Sequence, residues 1–415
     1  MRQSFDTNGG ASPLIVTWEG ARASTPHRGS AIMHKHLLAL SMGVAVIAFS
    51  TGAFAQSNSS YTSQQGLRNT VDVDQSGNGN RAGLSADQVI YQSNDSMSTG
   101  NSLVIKQSGA NNIIGQADVY GSVVDANQTG SSNTLRLDQS GNSNNIAYRQ
   151  FGNNNGTRSA EGAPVGNRKF QEQDNYGKSS GNATGLWNYV GQAGNGGNVR
   201  LDQESRGSSS SNGVIAFQSG SSGAQYIRLK QTTTSSSSAG ADNLAYLDQR
   251  TSGTNVIADI TQANNGGFYN LTDIRQNGSN VRVTGSQTGS GLDLFVQQTG
   301  NNNTVDSIQN ADNSQIRVIQ NNTGGGNNSV AAFQAGIDHI LDVKQVGYGH
   351  QVTSTQSDTG QIAMIDQNGF NNTYVGVQSG MMNYASVLQG SNNNIAVVTQ
   401  AGTSNSALIT QNRTR

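Results

Sequence analysis

The chain has 415 residues and a formal net charge of −1, and its 12% of charged residues compares with about 25% in a typical soluble domain. Such a small charge without a basic stripe argues against a nucleic-acid partner, and the absence of cysteine excludes a disulfide framework and a thiol nucleophile. With 33% hydrophobic residues and only 3 prolines, the sequence is too polar for one thick core and favours a thin stack of strands.

The first recognisable element is a secretory leader. After Met33, a short basic stretch precedes the apolar run Leu37–Phe49, which is too short to span a membrane, and an A-x-A sequence ends at Ala55. This order predicts a signal peptide over residues 33–55, cleaved between Ala55 and Gln56. It places the mature protein outside the cytoplasm.

Two segments flank this leader. Residues 1–32 are unlike any later part of the chain, so we expect them to be a misassigned N-terminal extension, with Met33 as the true start; an unusually long leader is the alternative. Residues 56–68 are polar and lack the repeat signature that begins at Asn69.

From Asn69 onward the chain consists of short units of the form N-x-φ-x-φ-x-Q, where φ is small or β-branched and apolar. The last unit runs from Asn405 to Gln411, with Ala407 and Ile409 at the apolar places. These four positions have one parity, so a β-strand directs them to one face. The alternation therefore predicts strands with a common inward face.

The units form two blocks, residues 69–150 and 187–415, separated by an irregular segment at 151–186. The period is blurred in this segment. We interpret it as a long loop or a degenerate layer, in which Gln171 or Gln173 holds the place of the repeat glutamine.

Glutamine recurs every eleven residues along the C-terminal part of the chain, which is typical of stacked structural units and not of a globular enzyme. We predict that these glutamines form a self-assembly ladder inside the stack: Gln276, Gln287, Gln298, Gln309, Gln320, Gln334, Gln345, Gln356, Gln367, Gln378, Gln389, Gln400 and Gln411. The asparagines predicted to share this ladder are Asn372, Asn383, Asn394 and Asn405.

Glycine commonly stands two places after the repeat glutamine, as at Gly347 and Gly380, and indicates a turn that requires positive φ. Each unit is then one strand and one turn, and two units make a layer of about 22 residues. The predicted fold is all-β, a β-solenoid or cross-β stack of strand-turn-strand repeats. About 26 units would give about 13 layers and a stack about 60 Å long.

The inward amides explain why the period is so regular. A buried amide without a partner costs about 1–3 kcal/mol, whereas an amide stacked on an identical amide one layer away can bond to it. That solution works only if each layer repeats the same residue, which also fixes the strand register. A Gly-, Ser- and Asn-rich chain is alternatively disordered, and this remains open for the isolated monomer before assembly.

The units resemble the curlin repeat of bacterial curli amyloid fibres, Q-x-G-x-x-N-x-φ-x-x-x-Q. The segment from Gln139 through Gly141 and Asn144 to Gln150 fits this pattern, and the resemblance covers most of residues 69–411. It implies a secreted subunit that polymerises on the bacterial cell surface into extracellular, pilus-like amyloid, with roles in adhesion and biofilm matrix.

The resemblance also implies partners. These are further copies of the chain, a curli-type outer-membrane secretion pore with its accessory factors, and a nucleating homologue. By the same resemblance, residues 56–68 would direct secretion.

The chain departs from the family because it has more than twice the number of repeats of familiar curlin subunits. The sequence therefore leaves open whether it is a major subunit or a nucleator. Four inward positions hold other residues in place of asparagine: Val281, Leu292, Ser314 and Gln361.

Other candidate sites are weaker. His339 and His350 occupy the asparagine place of consecutive units, either as a metal-binding or pH-sensing pair or as simple polar substitutions. Asp72 and Asp74 suggest a cation site or, more simply, one strand with alternate acids.

No catalytic, cofactor or metal motif is present, so we expect no enzyme activity and no cofactor. Two alternative functions belong to other classes of protein. One is a monomeric β-solenoid adhesin or ice-binding protein, and the other is a solenoid enzyme acting on polysaccharide, which would need clustered acids.

Overall fold

The computed structural model describes residues 58–412 except for 67, 84–89, 95–99, 115–125, 130–133, 141–144, 152–168, 176–186, 195–196, 206–211, 221–224, 234–242, 251–254, 267 and 323. The predicted extension 1–32 and the predicted signal peptide 33–55, with its cleavage site at Ala55 and Gln56, lie outside these residues. Among the described residues, no helix has the length and apolar character needed to cross a membrane.

The described chain alternates between two β-sheets, one of 17 strands and one of 13. The strands of the first sheet are β1 (Ser59–Ser60), β2 (Thr62–Gly66), β4 (Arg81–Ala82), β5 (Ile90–Asn94), β7 (Ile113–Ile114), β8 (Ala126–Thr129), β10 (Asn145–Phe151), β12 (Trp187–Gly194), β14 (Asn212–Gly220), β16 (Asn243–Arg250), β18 (Asn270–Asn277), β20 (Asp293–Thr299), β22 (Gln315–Asn321), β24 (Ile340–Tyr348), β26 (Ile362–Phe370), β28 (Tyr384–Gln389) and β30 (Ser406–Gln411). The strands of the second sheet are β3 (Thr70–Gln75), β6 (Ser102–Gln107), β9 (Thr134–Ser140), β11 (Lys169–Asn175), β13 (Gly197–Ser205), β15 (Gln225–Thr233), β17 (Val256–Asn264), β19 (Arg282–Ser290), β21 (Asn303–Asp312), β23 (Asn328–Ile337), β25 (Gln351–Thr359), β27 (Thr373–Met381) and β29 (Ile395–Thr403).

Neighbouring strands within each sheet are parallel and in register. Gln345 pairs with Gln367 in the first sheet and Gln356 with Gln378 in the second, each pair 22 residues apart. One coil of the chain therefore consists of two eleven-residue units, one in each sheet. The predicted all-β solenoid is confirmed, as is the predicted coil of about 22 residues.

An insertion in the repeat is accommodated in a turn. Gln320 and Gln345 are 25 residues apart, yet their strands keep the same register. The additional residues fall between β22 and β23, where Gly324 lies against the ring of Tyr348: a Cβ on Gly324 would come within 2.3 Å of that ring. Turns can therefore vary in length while the ladder between the strands is preserved.

The core is a thin layer between the two sheets. In β28, the inward side chains of Ala385, Val387 and Gln389 are buried, and they alternate with outward side chains. The same alternation in the other strands produces one long hydrophobic cluster from Val199 to Val398 and a smaller one from Val71 to Tyr148. Regular inward placement of small and β-branched residues is thus sufficient to exclude water.

The turn glycines adopt the predicted conformation. Gly347 has a φ of +113°, and a Cβ there would lie 1.8 Å from the carbonyl oxygen of Gly369 in the next coil. Glycine is required at this place both for its backbone conformation and because successive turns stack at backbone contact distance.

The stack begins earlier than the repeat signature predicts. Strand β2 lies within the polar segment 56–68 and pairs with β5. Gln64 donates from Nε2 to Oε1 of Gln92 at 2.8 Å. Its unit has Ser60 and Thr62 where apolar residues are expected, which explains why the sequence pattern missed it.

The irregular segment 151–186 contributes a layer. Strand β11 pairs with both β9 and β13, and its register places Gln173 beside Gln139 and Gln203. Of the two alternatives, the degenerate layer is therefore correct for this strand, with Gln173 in the repeat position.

Candidate self-assembly interface

The predicted glutamines form two continuous hydrogen-bonded ladders, one in each sheet. In the first, Gln345 donates from Nε2 to Oε1 of Gln367 at 2.9 Å, and Gln367 donates to Gln389 at 2.8 Å. In the second, Gln378 donates to Gln400 at 2.8 Å. The same side-chain bond joins all the predicted members in sequence: Gln276, Gln298, Gln320, Gln345, Gln367, Gln389 and Gln411 in the first sheet, and Gln287, Gln309, Gln334, Gln356, Gln378 and Gln400 in the second.

The ladders extend upstream beyond the predicted residues. Gln218 donates to Gln249, which donates to Gln276, and Gln231 donates to Gln262. These residues break the eleven-residue step because their turns are longer. The parity pattern still marks them, since the unit ending at Gln249 places asparagine and two apolar residues at the usual positions.

Each ladder glutamine also ties the two sheets together. Gln389 Nε2 donates to the carbonyl oxygen of Thr373 in the opposite sheet at 3.1 Å, and Gln400 Nε2 donates to that of Tyr384 at 3.0 Å. The side chain of Gln389 thus makes three hydrogen bonds, two along the ladder and one across the core. No feature of the repeat pattern indicates this third bond.

The asparagines lie near the turns and bond differently from the prediction. Asn372 Nδ2 donates to the carbonyl oxygen of Asn368 in its own turn at 2.9 Å, while its Oδ1 accepts from the backbone N–H of Asn394 at 3.0 Å. Asn383 and Asn405 are related in the same way, and Asn405 Nδ2 also donates to Asn383 Oδ1 at 2.9 Å. The asparagines therefore connect side chain to backbone in most steps and do not simply repeat the glutamine ladder.

The substituted asparagine positions show which part of this role can be replaced. Gln361 accepts from the backbone N–H of Asn383 through Oε1 at 3.2 Å, and Ser314 Oγ accepts from that of His339 at 3.1 Å. Val281 and Leu292 are buried and contribute apolar contact instead. A buried acceptor is thus supplied by several residue types.

The two histidines act as asparagine equivalents in opposite sheets. His339 Nε2 lies 3.0 Å from the carbonyl oxygen of Ala335, and its Nδ1 accepts from the backbone N–H of Gln361 at 3.3 Å. His350 repeats this arrangement one unit later, with Val346 and Asn372 as its partners. A carbonyl on one side and an N–H on the other fix the neutral tautomer that carries its proton on Nε2.

Burial lowers the pKa of both imidazoles below the ordinary 6.5. The carboxylates of Asp338 and Asp358 oppose this shift in the pKa of His339, but desolvation is the larger effect. The prediction of a polar substitution agrees with this geometry. Among the described residues, no group of three or more His, Asp or Glu side chains is arranged to hold a metal ion.

Tyr374 fills an inward position that is apolar in neighbouring coils. Its side chain is fully buried, its hydroxyl has no hydrogen-bond partner, and desolvation raises its pKa to about 12. Gly376 makes room for it, because a Cβ on Gly376 would lie 2.0 Å from the Tyr374 hydroxyl. The two residues form a large–small pair within one strand.

Replacing Tyr374 by phenylalanine is expected to stabilise the solenoid by about 1 kcal/mol, because the change removes a buried hydroxyl that bonds to nothing and keeps the ring. Chemical denaturation of the variant and of the unchanged chain measures the difference. The matched variant Gly376→Ala should destabilise the protein through the clash with the ring. A loss of stability in Tyr374→Phe would show that the hydroxyl is satisfied.

The last described coil leaves both sheets open. Among the described strands, β29 pairs only with β27 and β30 only with β28. Ala407 and Ile409, at the inward positions of β30, are only partly buried, whereas the inward residues of the preceding coils are buried. The outer edges of these two strands therefore present unpaired backbone groups, which can template another strand.

The ladders have a direction. Each glutamine-to-glutamine bond between the described ladder members runs toward the next coil in chain order, from Gln64 to Gln92 at one end and from Gln389 to Gln411 at the other. Gln411 Nε2 donates one N–H to the carbonyl oxygen of Ile395, and its second N–H has no partner among the described residues and can continue the ladder. The N-terminal coil offers the complementary side-chain oxygen of Gln64.

The outer surface carries scattered charges. Arg317 and Asp342 are 3.1 Å apart, and Lys344 and Asp366 are 3.8 Å apart. Both pairs are exposed, so each contributes little to stability. Their position on outward faces serves solubility and opposes wrong pairing.

The fold and the ladders together define a β-solenoid repeat protein. A scan of protein-family models finds no match to the chain, and a search of curated proteins likewise finds none.

Proposed function

We propose that this protein is a secreted structural subunit of curli-like functional amyloid fibres on the bacterial cell surface, where it mediates adhesion and biofilm matrix formation. The observation that carries this proposal is the pair of directional glutamine ladders ending at two open strands, β29 and β30. A second copy can continue both the backbone hydrogen bonds and the side-chain ladders without any new type of contact.

Energetic reasoning supports templated growth. Each added coil buries amides that would be costly to leave unpaired, and it satisfies them at the ladder ends, Gln400 and Gln411. The inward residues of the last strand are less buried than those of the preceding coils, so docking of another copy covers Ala407 and Ile409. The parallel register within each sheet gives one favoured alignment.

Export is part of the proposal. The leader over residues 33–55 supports secretion, and the resemblance of the units to curlin repeats supports a curli-type outer-membrane pore, accessory factors and a nucleating homologue as partners. Residues 56–68 include β2, and a role in directing secretion is compatible with a strand that forms only after export.

The test is assembly from the denatured chain. The protein is diluted from denaturant and followed by thioflavin T fluorescence and electron microscopy, with preformed fibres added as seeds. We expect unbranched fibres whose growth is accelerated by seeds of the same chain. A soluble, β-rich monomer that stays monomeric for days would contradict the proposal and favour the monomeric solenoid adhesin.

A further inference from the structure

One outer face of the solenoid has no charge. It consists of the outward residues of β23, β25, β27 and β29, which we call the uncharged face: Ser329, Ala331, Phe333, Gln351, Thr353, Thr355, Thr373, Val375, Val377, Ile395, Val397 and Thr399. Earlier strands of the same sheet carry outward charges, including Lys230, Asp259 and Asp306. The change occurs between β21 and β23; the one charged residue within the four later strands, Asp358, lies outside this set, at the end of β25 where the backbone enters a turn.

The opposite sheet shares this property only in its last two strands, β28 and β30. Beside β23 and β25, its strands β22, β24 and β26 carry Arg317, Asp342, Lys344 and Asp366 on their outward side. The two faces of the solenoid are therefore chemically different although the same eleven-residue unit builds both.

The uncharged face is half apolar, with threonine, serine and glutamine at its other positions, and it is regular. Phe333, Val377 and Val397 are 40%, 42% and 64% exposed. The register aligns its residues in three columns along the stack; in the central column, Thr353 is followed by Val375 and then Val397. Side chains in such columns repeat at the strand spacing of about 4.8 Å.

We propose that the uncharged face docks against the same face of a second copy of this chain, pairing two solenoid stacks side by side within a fibre. This inference rests on the proposed fibre assembly. An identical stack is the partner whose columns have the same spacing, so side chains can interdigitate as two sheets do at about 10 Å. The absence of charge lets like faces meet without repulsion or desolvation of ions.

The size of the face determines when pairing occurs. Four strands about 4.8 Å apart and about seven residues long cover about 440 Å², or about 900 Å² counted on both partners. A stable complex buries about 1,200–2,000 Å², so two separate molecules do not pair through this face alone. In a fibre the face recurs once per molecule, and the contacts add. Pairing is therefore a property of the fibre and not of the monomer.

The test adds lysines to the face of the full chain. Val375→Lys with Val397→Lys places two charges in the central column of β27 and β29. The matched control, Ser386→Lys with Leu408→Lys, makes the same change on the outward side of the last two strands of the other sheet, where Ser386 and Leu408 are also adjacent in register. Both variants carry the same lysine–lysine repulsion along the stack, so only the face differs.

Fibre width and mass per length, from electron microscopy, give the outcome. We expect paired stacks in the unchanged chain and in the control, and single stacks with half the mass per length in the Val375→Lys/Val397→Lys variant. Single stacks in the unchanged chain, or pairing retained in that variant, would overturn the proposal while leaving fibre assembly intact. A chain that forms no fibre at all would overturn both proposals.

If the lysine variant does not assemble, cross-sections of the unchanged fibre by cryo-electron microscopy decide the question. The proposal requires β23, β25, β27 and β29 of two stacks to face each other about 10 Å apart. Contact through the charged sheet would overturn it.

Discussion

Alanine in place of four consecutive ladder glutamines is expected to unravel the C-terminal coils and abolish fibre growth. The four residues are Gln367, Gln378, Gln389 and Gln400. The change removes three successive links in the first sheet and two in the second, and it leaves the buried amides of Gln345 and Gln356 without their acceptors. At about 1–3 kcal/mol for each unsatisfied buried group, together with the cavities left behind, the loss is comparable to the whole stability of a typical domain.

Hydrogen exchange of the backbone amides in β26 to β30, together with seeded growth followed by thioflavin T, measures this effect. The matched control replaces by alanine the outward residue that directly precedes each glutamine: Asp366, Val377, Leu388 and Thr399. We expect the control to retain protection and growth within about twofold, because exposed substitutions have small effects. Equal behaviour of the two variants would show that the glutamines do not determine the register.

Acidification is expected to loosen the coils that contain His339 and His350. Both imidazoles accept a backbone N–H at Nδ1, and a protonated ring cannot accept it. Since their folded-state pKa lies below the ordinary 6.5, the unfolded chain binds more protons as the pH falls below that value. Stability is therefore unaffected above about pH 6.5 and decreases below it, by at most about 1.4 kcal/mol per pH unit for each histidine, until the folded-state pKa is reached.

Hydrogen exchange in β24 to β26 between pH 7.5 and pH 4.5, corrected for intrinsic exchange rates, measures the loss. Strands β18 and β20 contain no histidine and serve as the internal reference. The double variant His339→Asn with His350→Asn restores the usual amide and should remove the pH dependence. If the variant shows the same decline as the unchanged chain, the histidines are not its cause.

The repeat architecture was predictable because one local rule determines it. The alternation of side chains along a strand places Ala385, Val387 and Gln389 on one face. Two steps of eleven residues place each glutamine over its equivalent one coil away. The side-chain ladder follows from these two facts, since each buried amide then lies beside an identical amide in the adjacent coil. The core and the ladder thus depend on periodicity that is visible in the sequence.

Other features depend on three-dimensional contacts that the pattern does not encode. The bond from Gln389 to Thr373 requires the distance between the sheets, and the acceptor role of His339 depends on which backbone N–H lies above it. The repeat pattern did not predict strand β2, because Ser60 and Thr62 stand where apolar residues are expected. The uncharged face depends on which strands share a sheet. In the sequence, units of the two sheets alternate, so charged and uncharged units are interleaved.

Mass per length of the fibres, from scanning transmission electron microscopy, tests the central claim most directly, because it separates a solenoid from other cross-β arrangements. Without residues 1–55, the chain of 43.3 kDa is reduced to about 38 kDa; spread over the 13 layers of the second sheet, at about 4.8 Å each, it gives about 6 kDa per nm for one stack and about 12 for a pair. The same chain lying flat in a single layer would give about 80 kDa per nm. A value near 6 or 12 is the predicted result, and a value near 80 would contradict the coiled ladder as the unit of assembly.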